Sequence, residues 1–320
     1  MYGSTVVVTE PIHSAGIELL KENGVNVVEL PTGSDEETLQ REAPMVNALI
    51  TRGGIRVTRG FMESAPSLKA IGVHGIGCDH VDLEAAAELG KTVLNTPYAL
   101  ADSVAEMAIA LMLALTRRVV SADKAVRTGE WHRKYGDLRG IELKGKTIGI
   151  IGLGKIGTGI ARRLKGFGVE LIYHSRTRKP GVEVDLSLEN VTLDELLSRS
   201  DIISLSLPYT PETHHLISEE RMEAMKDGAM IVNTARGRVI DQEALERALE
   251  KGKLAGAALD VFEVEPLDPD SPLAGMDTVV LTPHLAASSE EAMRRMAVQV
   301  SEGVLKVLNG EPPDYPVVTG

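Results

Sequence analysis

A single cysteine, Cys78, occurs in 320 residues, which excludes an intrachain disulfide and a cysteine-cluster metal site. A reducing compartment, the cytoplasm, is the simplest setting for such a chain. Long apolar runs are missing too: each is short and broken by charge or glycine, which excludes a membrane-spanning helix. The start, Met1-Tyr2-Gly3-Ser4-Thr5, lacks a basic stretch leading into an apolar one, so no signal peptide is read there. Basic charge is in deficit. With 34 Lys and Arg against 46 Asp and Glu, the net charge of −12 opposes general binding to nucleic acid or to anionic membrane surfaces. There is no low-complexity linker and no fixed-period repeat.

Hydrophobic residues make up 43% and charged residues 25%, ordinary for a soluble protein, and 320 residues suit two domains, each with its own core. Short apolar runs alternate with helix-period segments, the pattern of parallel sheets flanked by helices. The first part offers strands near Thr5 to Thr9, Val25 to Leu30, Ala48 to Thr51, Leu68 to Val73 and Thr92 to Asn95, with helices such as Ser14 to Asn23 and Leu83 to Leu89. The alanine-rich Ser103 to Thr116 reads as a helix packed between domains. A second series follows: strands at Lys146 to Gly152, Glu170 to His174, Asp201 to Leu207, Met230 to Thr234, Ala255 to Asp260 and Val279 to Thr282, and helices at Lys155 to Gly166 and Ser289 to Leu308. The last helix can cross back onto the first domain, which makes that domain discontinuous.

The loop Gly152-Leu153-Gly154-Lys155-Ile156-Gly157 is entered by the β-rich Thr147 to Ile151 and left by the amphipathic Ile156 to Leu164. In that context Gly152 permits a tight turn, Gly154 lets the backbone approach a pyrophosphate, and Gly157 allows close helix–strand packing with the helix N-terminus facing the anion. A glycine-rich turn without a ligand is the plainer alternative, and the flanking strand and helix argue against it. About twenty residues on, an NAD site usually carries an acid for the ribose hydroxyls. Here stands Tyr173-His174-Ser175-Arg176-Thr177-Arg178-Lys179, without a carboxylate. The hydroxyls of Ser175 and Thr177 and the guanidinium groups of Arg176 and Arg178 suit a 2′-phosphate. NADP(H) is therefore preferred, with NAD(H) open because arginine also stacks on adenine; a solvated basic loop is the bland alternative.

Downstream come Thr234-Ala235-Arg236-Gly237, Phe262-Glu263-Val264-Glu265-Pro266 and Thr282-Pro283-His284. An arginine grips a carboxylate in its two-pronged fork, a histidine exchanges a proton near neutral pH, and a glutamate holds that histidine. Together they suit reversible oxidation of a 2-hydroxy acid. Taken singly, Arg236 reads as a surface ion-pair partner, Glu265 as a solvated acid and His284 as a strand-end hydrogen-bonding residue. The adjacent His214 and His215 invite a metal reading. Neighbours in sequence are expected to diverge in direction, and no Cys or third ligand accompanies them, so the pair reads as structural and no metal is assigned. Trp131, His132 and Arg133 lie in a segment for which an approach to the cleft is one reading and packing the commoner one. Cys78, near the substrate loop, is a free thiol of the kind that is usually inert unless its pKa is lowered.

From Gly75-Ile76-Gly77-Cys78-Asp79-His80-Val81-Asp82 to the final helix, the chain resembles the D-isomer-specific 2-hydroxyacid dehydrogenase family, which includes phosphoglycerate dehydrogenases and glyoxylate or hydroxypyruvate reductases. The matching blocks, in order, are Asn95-Thr96-Pro97, Val104-Ala105-Glu106, Gly152 to Gly157, Pro208 through Thr213, Asn233 to Gly237, Ala258 to Phe262, Glu265-Pro266 and Thr282-Pro283-His284. The resemblance implies an α/β fold of two doubly wound parallel-sheet domains. In it, a Rossmann dinucleotide-binding domain at 99–287 is inserted into a discontinuous flavodoxin-like substrate domain at 1–98 and 288–320. It implies His284 as the acid in keto-acid reduction and the base in oxidation, Glu265 as its partner, and Arg236 as the group that binds the substrate carboxylate and polarises the carbonyl. Asp260 matches the residue that holds the nicotinamide carboxamide, Thr234 and Ala235 the segment beside that ring, Pro208 and Thr213 the loop near the adenosine and pyrophosphate, and Lys155 and Ile156 the pyrophosphate turn. In the family the loop here read as His74-Gly75-Ile76-Gly77 offers backbone N–H groups to the carboxylate, while Arg52, Gly53 and His74 line the other side of the pocket and set selectivity.

The segment Arg52-Gly53-Gly54-Ile55-Arg56 departs from the Arg-Ser-x-Thr-Lys of phosphoglycerate dehydrogenases, although Trp131-His132-Arg133-Lys134 is similar to their corresponding stretch. The chain also ends soon after its last helix, where longer relatives carry a regulatory serine-binding domain. Ser175 to Lys179 looks like the cofactor loop of glyoxylate and hydroxypyruvate reductases. The expectation is an NADP(H)-preferring reductase of a small 2-keto acid such as glyoxylate or hydroxypyruvate. The runner-up is a D-3-phosphoglycerate dehydrogenase, and the reading of another class is a dinucleotide-sensing scaffold like the family's corepressors. The intact trio and the absence of long disordered tails argue for the enzyme. A homodimer is expected from the family and from the Ala and Met positions of the helix Ser103 to Leu115.

Overall fold

The computed structural model describes residues 3–318; Met1, Tyr2, Thr319 and Gly320 lie outside the described residues, and with them the Met1-Tyr2 part of the start considered for a leader. The strands among the described residues are β1 (Thr5–Val8), β2 (Asn26–Glu29), β3 (Ala48–Thr51), β4 (Ala70–Val73), β5 (Thr92–Leu94), β6 (Thr147–Ile151), β7 (Glu170–His174), β8 (Glu189–Asn190), β9 (Ile202–Leu205), β10 (Ala229–Asn233), β11 (Leu254–Leu259), β12 (Val279–Leu281) and β13 (Pro316–Val318). The chain divides into two compact units, Met1–Leu100 with Ala287–Gly320, and Ala101–Ala286. Among the described residues no helix is long and apolar enough to cross a membrane.

The first unit holds a sheet of order β13-β5-β4-β3-β1-β2. Strands β1 to β5 pair in parallel, in the doubly wound order 2-1-3-4-5 of the flavodoxin type. Successive side chains of a strand point to opposite faces, and here both faces are covered. Val6 and Val8 join a cluster with helices Ser14–Glu22 and Glu290–Leu308, while Val7 joins one with helices Glu36–Glu42, Arg59–Ser64 and Leu83–Glu88. That double burial is why the strand reads as an unbroken apolar run instead of alternating. The C-terminal helix is fastened at its first turn, where His13 caps the helix Ser14–Glu22 through Nδ1 and meets Glu290 Oε1 at 3.0 Å through Nε2. One departure from an all-parallel sheet is β13, antiparallel to β5. Pro316-Val317-Val318 is too short to carry a periodic signal, and its proline is tolerated because the strand lies at an edge.

The second unit holds an all-parallel sheet of order β12-β11-β10-β9-β6-β7-β8, the Rossmann order with an added strand. Its direction of progress reverses between β6 and β9. Ile148 and Ile150 face one cluster and Ile151 the other, and Met230, Ile231 and Val232 alternate likewise. Helix Ala101–Thr116 spends its apolar face inside this unit: Ala105, Ala108, Leu111, Met112 and Leu115 are buried in the cluster that contains Ile150, Ile160 and Ala258. The unit's own sheet and the helix Lys155–Leu164 cover Ala105, Ala108 and Met112, while Ala110 is exposed and Met107 half-buried among the positions expected to meet a partner. The exposed large apolar side chains of this region are instead Val119, Val120 and Val126 on the next helix, and Trp131 and Tyr135 on the 3₁₀ turn after it.

Leu20 is fully buried beneath the C-terminal helix, whereas Val184 is 84% exposed. Leu20→Ala is expected to lower unfolding free energy by about 2–5 kcal/mol, and Val184→Ala to change it by less than about 0.5 kcal/mol, read by urea denaturation.

Candidate active site

The expected site residues of the second unit fall just beyond the carboxyl ends of its strands. Gly152 follows β6, Ser175 follows β7, Pro208 lies beyond β9, Thr234 follows β10, Asp260 follows β11 and His284 lies beyond β12. Open parallel sheets bind ligands at that edge, beside the reversal of strand order. Gly152 takes φ +95°, and a side chain there would meet the Ser206 carbonyl oxygen at 2.3 Å. A Cβ on Gly157 would meet the Gly152 carbonyl oxygen at 2.1 Å, so the helix Lys155–Leu164 can lie on its strand only because Gly157 has none. Gly154, by contrast, has no protein atom within 4 Å of where its Cβ would be, and Lys155 and Ile156 open the helix directly after it. Nearby at the same edge, the buried hydroxyls of Ser206 and Thr234 find no hydrogen-bond partner. Open space at the middle glycine, a helix N-terminus and orphaned hydroxyls are what a dinucleotide's pyrophosphate and nicotinamide ends require.

Three turns build the reactive end. At the first, fully buried Asn233 receives the Ala235 N–H at 2.9 Å and donates to the Arg236 carbonyl at 3.0 Å, clamping Thr234-Ala235-Arg236. At the second, Glu265 Oε1 accepts the Phe262 N–H at 3.0 Å. Its Oε2 lies 2.7 Å from His284 Nδ1 on the third. Burial alone would raise the Glu265 carboxyl; the hydrogen bond with His284, the Phe262 amide and the charges of His284 and Arg236 outweigh it and hold the group below its ordinary value. A carboxylate only accepts, so Nδ1 carries the hydrogen and Nε2 is left for other chemistry. His284 adopts φ +51°, an uncommon backbone for a residue with a Cβ.

Asp260 explains that backbone. It is fully buried, and its carboxylate accepts from Thr282 Oγ1 at 2.6 Å and from the N–H groups of Leu285 and Ala286 at 2.9 and 2.8 Å, while its own carbonyl takes the His284 N–H at 2.8 Å. Asp260 therefore wraps the turn that presents His284. The resemblance offered no sign of this, because it assigned Asp260 another role and the donors come from the turn after β12, the strand beside β11 in the sheet.

Other candidates stand differently from expectation. Arg178 is engaged by Glu183 through contacts of 2.9 and 3.2 Å, and Glu183 also takes the Tyr173 hydroxyl at 2.6 Å, so Arg178 braces its own loop. Arg176 and Thr177 are exposed and Ser175 half-buried. Thr213 Oγ1 donates to the Pro208 carbonyl at 2.9 Å, folding the loop beyond β9 on itself. His214 and His215 do not diverge: their rings stack with centroids 3.9 Å apart, because φ +47° at His215 turns the chain back. Among the described residues no group of three His, Cys, Asp or Glu side chains could hold a metal.

The first unit gathers its own set beyond β1, β3 and β4. Glu10, which the motifs did not single out, accepts the N–H groups of Arg52 and Gly54, each at 2.7 Å, and the Thr9 hydroxyl, so it shapes the Arg52-Gly53-Gly54 loop. Its place directly after a parallel strand was the available signal. Arg52 itself donates to the Pro11 carbonyl at 2.7 Å. The Gly75 carbonyl is engaged by Thr96 and the Ile76 carbonyl by Asn95, which fixes the Gly75-Ile76-Gly77 loop. His74 is 4% exposed and neither ring nitrogen has a partner of good geometry. Burial, then the nearby Arg52 charge, lowers its pKa from 6.5 to about 4 against a weaker opposing pull from the backbone of His74 and Met293. Between those two values the unfolded chain takes up a proton that the folded chain refuses, so stability falls as pH drops from 6.5 to 4. Denaturant unfolding is expected to show a loss on the order of 3 kcal/mol over that window in the native chain, absent in His74→Gln.

Comparison with known proteins agrees with the geometry. The family model for D-isomer specific 2-hydroxyacid dehydrogenase, NAD binding domain, matches residues 109–286. A glyoxylate reductase from Thermofilum pendens is 45% identical, covering 96% of this chain and 92% of that one. A D-3-phosphoglycerate dehydrogenase from Methanocaldococcus jannaschii is 44% identical over 96% of this chain, which spans 58% of that longer relative. The crystal structure of a glyoxylate reductase from Paecilomyes thermophila matches with TM-score 0.88 and 35% identity over 99% of both chains. A Rossmann unit with an intact Arg, Glu and His at its reactive edge thus sits in a chain related throughout its length to nicotinamide-dependent oxidoreductases, and the chain belongs to the D-isomer-specific 2-hydroxyacid dehydrogenase family.

Proposed function

We propose that the chain reduces a small unphosphorylated 2-keto acid, glyoxylate or hydroxypyruvate, with NADPH preferred over NADH. The observation that carries the reading is the His284–Glu265 pair at 2.7 Å, within reach of the Arg236 charge, on turns that follow three neighbouring parallel strands. The 45% identical glyoxylate reductase, matched over nearly the full length of both chains, supports the substrate class.

The residues fit a nicotinamide dinucleotide: Gly152, Gly154, Lys155, Ile156 and Gly157 at its pyrophosphate, Pro208 and Thr213 along its adenosine side, and Thr234, Ala235 and Asp260 beside the nicotinamide. Ser175, Arg176 and Thr177 are the groups for a 2′-phosphate; Arg178, committed to Glu183, holds that loop in shape. Bound there, the cofactor supplies the hydride. Arg236 forks the substrate carboxylate and draws electron density from the adjoining carbonyl, which fixes C2 for attack. His284 Nε2 gives its proton to the carbonyl oxygen as negative charge develops there, and Glu265 stabilises the imidazolium that precedes transfer. In oxidation the same nitrogen takes the hydroxyl proton. In the first unit, the assigned substrate groups are the N–H groups of the Gly75-Ile76-Gly77 loop, with Arg52, Gly53 and His74 setting selectivity. His74, neutral at pH 7, adds hydrogen-bonding capacity without a second positive charge beside Arg52.

Initial rates with glyoxylate, hydroxypyruvate, pyruvate and 3-phosphohydroxypyruvate, each with NADPH and NADH, test the reading. The highest kcat/KM is expected for an unphosphorylated acid with NADPH, and clear preference for the phosphorylated acid with NADH would identify a phosphoglycerate dehydrogenase instead. His284→Ala is expected to lower kcat by about 10³-fold or more with NADPH binding retained, whereas turnover near the native rate would refute the assigned role. The assigned partner is a second copy of the chain, supported by the exposed Val119, Val120, Val126, Trp131 and Tyr135. Sedimentation is expected to give twice the 34.3 kDa chain mass, and a monomer at working concentration would remove that assignment.

A further inference from the structure

A second histidine–carboxylate pair stands between the turns just assigned to catalysis. His215 takes φ +47°, a left-handed backbone that persists in a residue with a Cβ only where the surroundings enforce it. Its N–H donates to the Arg238 carbonyl at 2.9 Å. Its Nε2 lies 2.7 Å from Glu263 Oε1, and the other face of the loop is filled by His214, stacked on His215 and met edge-on by Tyr209. Glu263 is held through its main chain as well: its N–H donates to Gln242 Oε1 at 3.3 Å and its carbonyl accepts from Arg238 Nε at 3.4 Å.

The neighbourhood leaves little slack. A Cβ on Gly237 would lie 1.9 Å from the Phe262 carbonyl carbon and 2.4 Å from the Glu263 nitrogen, so the turn carrying Arg236 presses directly on the backbone that leads to Glu265. The same Phe262 N–H is the donor to Glu265 Oε1. The His215–Glu263 side-chain pair thus joins the loop beyond β9 to the Glu265 turn, and main-chain contacts of both residues with Arg238 tie in the Arg236 turn. An exposed ion pair would carry little weight. This one is two-thirds buried on both sides, at 33% and 29% side-chain exposure, and it is backed by a backbone conformation that a solvated loop would relax.

We propose that His215 is a positioning residue for the reaction: through Glu263 it fixes the Phe262–Glu265 turn against the cofactor-side loop, and so holds Glu265 in register with His284. The inference rests on the acid–base reading of His284 and Glu265. A merely structural role would lower the melting temperature and leave the kinetic constants of the folded enzyme alone.

The test uses the full chain with glyoxylate and NADPH, reading kcat and both KM values separately, and NADPH affinity by fluorescence titration. His215→Asn keeps a residue that tolerates the left-handed backbone but is too short to reach Glu263, and His215→Gln restores a donor near the reach of Nε2. Expected is a loss of about tenfold in kcat for His215→Asn at a temperature where it is folded, with most of the loss recovered in His215→Gln. The double variant with Glu263→Gln is expected to be no slower than the worse single one, the mark of two groups acting as a unit. Native kcat and cofactor KM in His215→Asn, equal losses in the Asn and Gln variants, or single losses that multiply in the double variant would each overturn the inference while leaving the acid–base reading standing. A native chain inactive on every 2-keto acid would overturn both.

Discussion

The Asp260 carboxylate, fully buried at the end of β11, has to find its hydrogen bonds in the turn that follows β12, and the placing of His284 depends on that demand. A carboxylate removed from water without partners costs several kcal/mol, so the turn closes until the Thr282 hydroxyl and the Leu285 and Ala286 amides reach it. Closing carries the chain through a left-handed step at His284, φ +51°. The strain is local, and the hydrogen bonds around Asp260 hold it in place. The imidazole is thereby turned so that Nδ1 faces Glu265.

The first unit repeats the device in a milder form. Glu10 stands just past β1 as Asp260 stands just past β11, and its carboxylate gathers the amides of Arg52 and Gly54. In each case an acid at the carboxyl end of a parallel strand shapes a loop that follows a different strand, where open sheets of this kind bind their ligands. His74, at the end of β4, does the opposite: burial strips its charge, which keeps like charges apart beside Arg52. The loops at the strand ends are thus held by acidic side chains that gather amides from neighbouring turns, and the sheets beneath supply rigid strand ends to mount them on.

Much of this was legible in the residues. Doubly buried parallel strands show as the runs Thr5 to Val8 and Thr147 to Ile151, and the glycine loop is specific once a strand enters it and a helix leaves it. Arg236, Glu265 and His284 could be named because they lie in motifs. What the sequence hid were contacts between loops distant along the chain. Arg178 reads as a phosphate ligand with no sign of the Glu183 carboxylate that engages it, and His214 and His215 read as diverging neighbours until a positive φ stacks them. The helix Ala101–Thr116 shows a related limit: composition marks it as apolar on many sides but does not say that its own sheet covers most of that surface. β13 was missed because a three-residue strand beginning at a proline has no period to detect.

The central claim is that Glu265, 2.7 Å from Nδ1, aims His284 as the proposed proton donor in keto-acid reduction. The most direct measurement is the pH dependence of kcat for glyoxylate reduction in the native chain and in Glu265→Gln. Loss of the carboxylate removes the partner that favours the protonated imidazole, so the alkaline fall in rate is expected to move to lower pH in the variant. A variant whose alkaline limb coincides with that of the native enzyme would contradict the claim, because the proton would then be held by some other group.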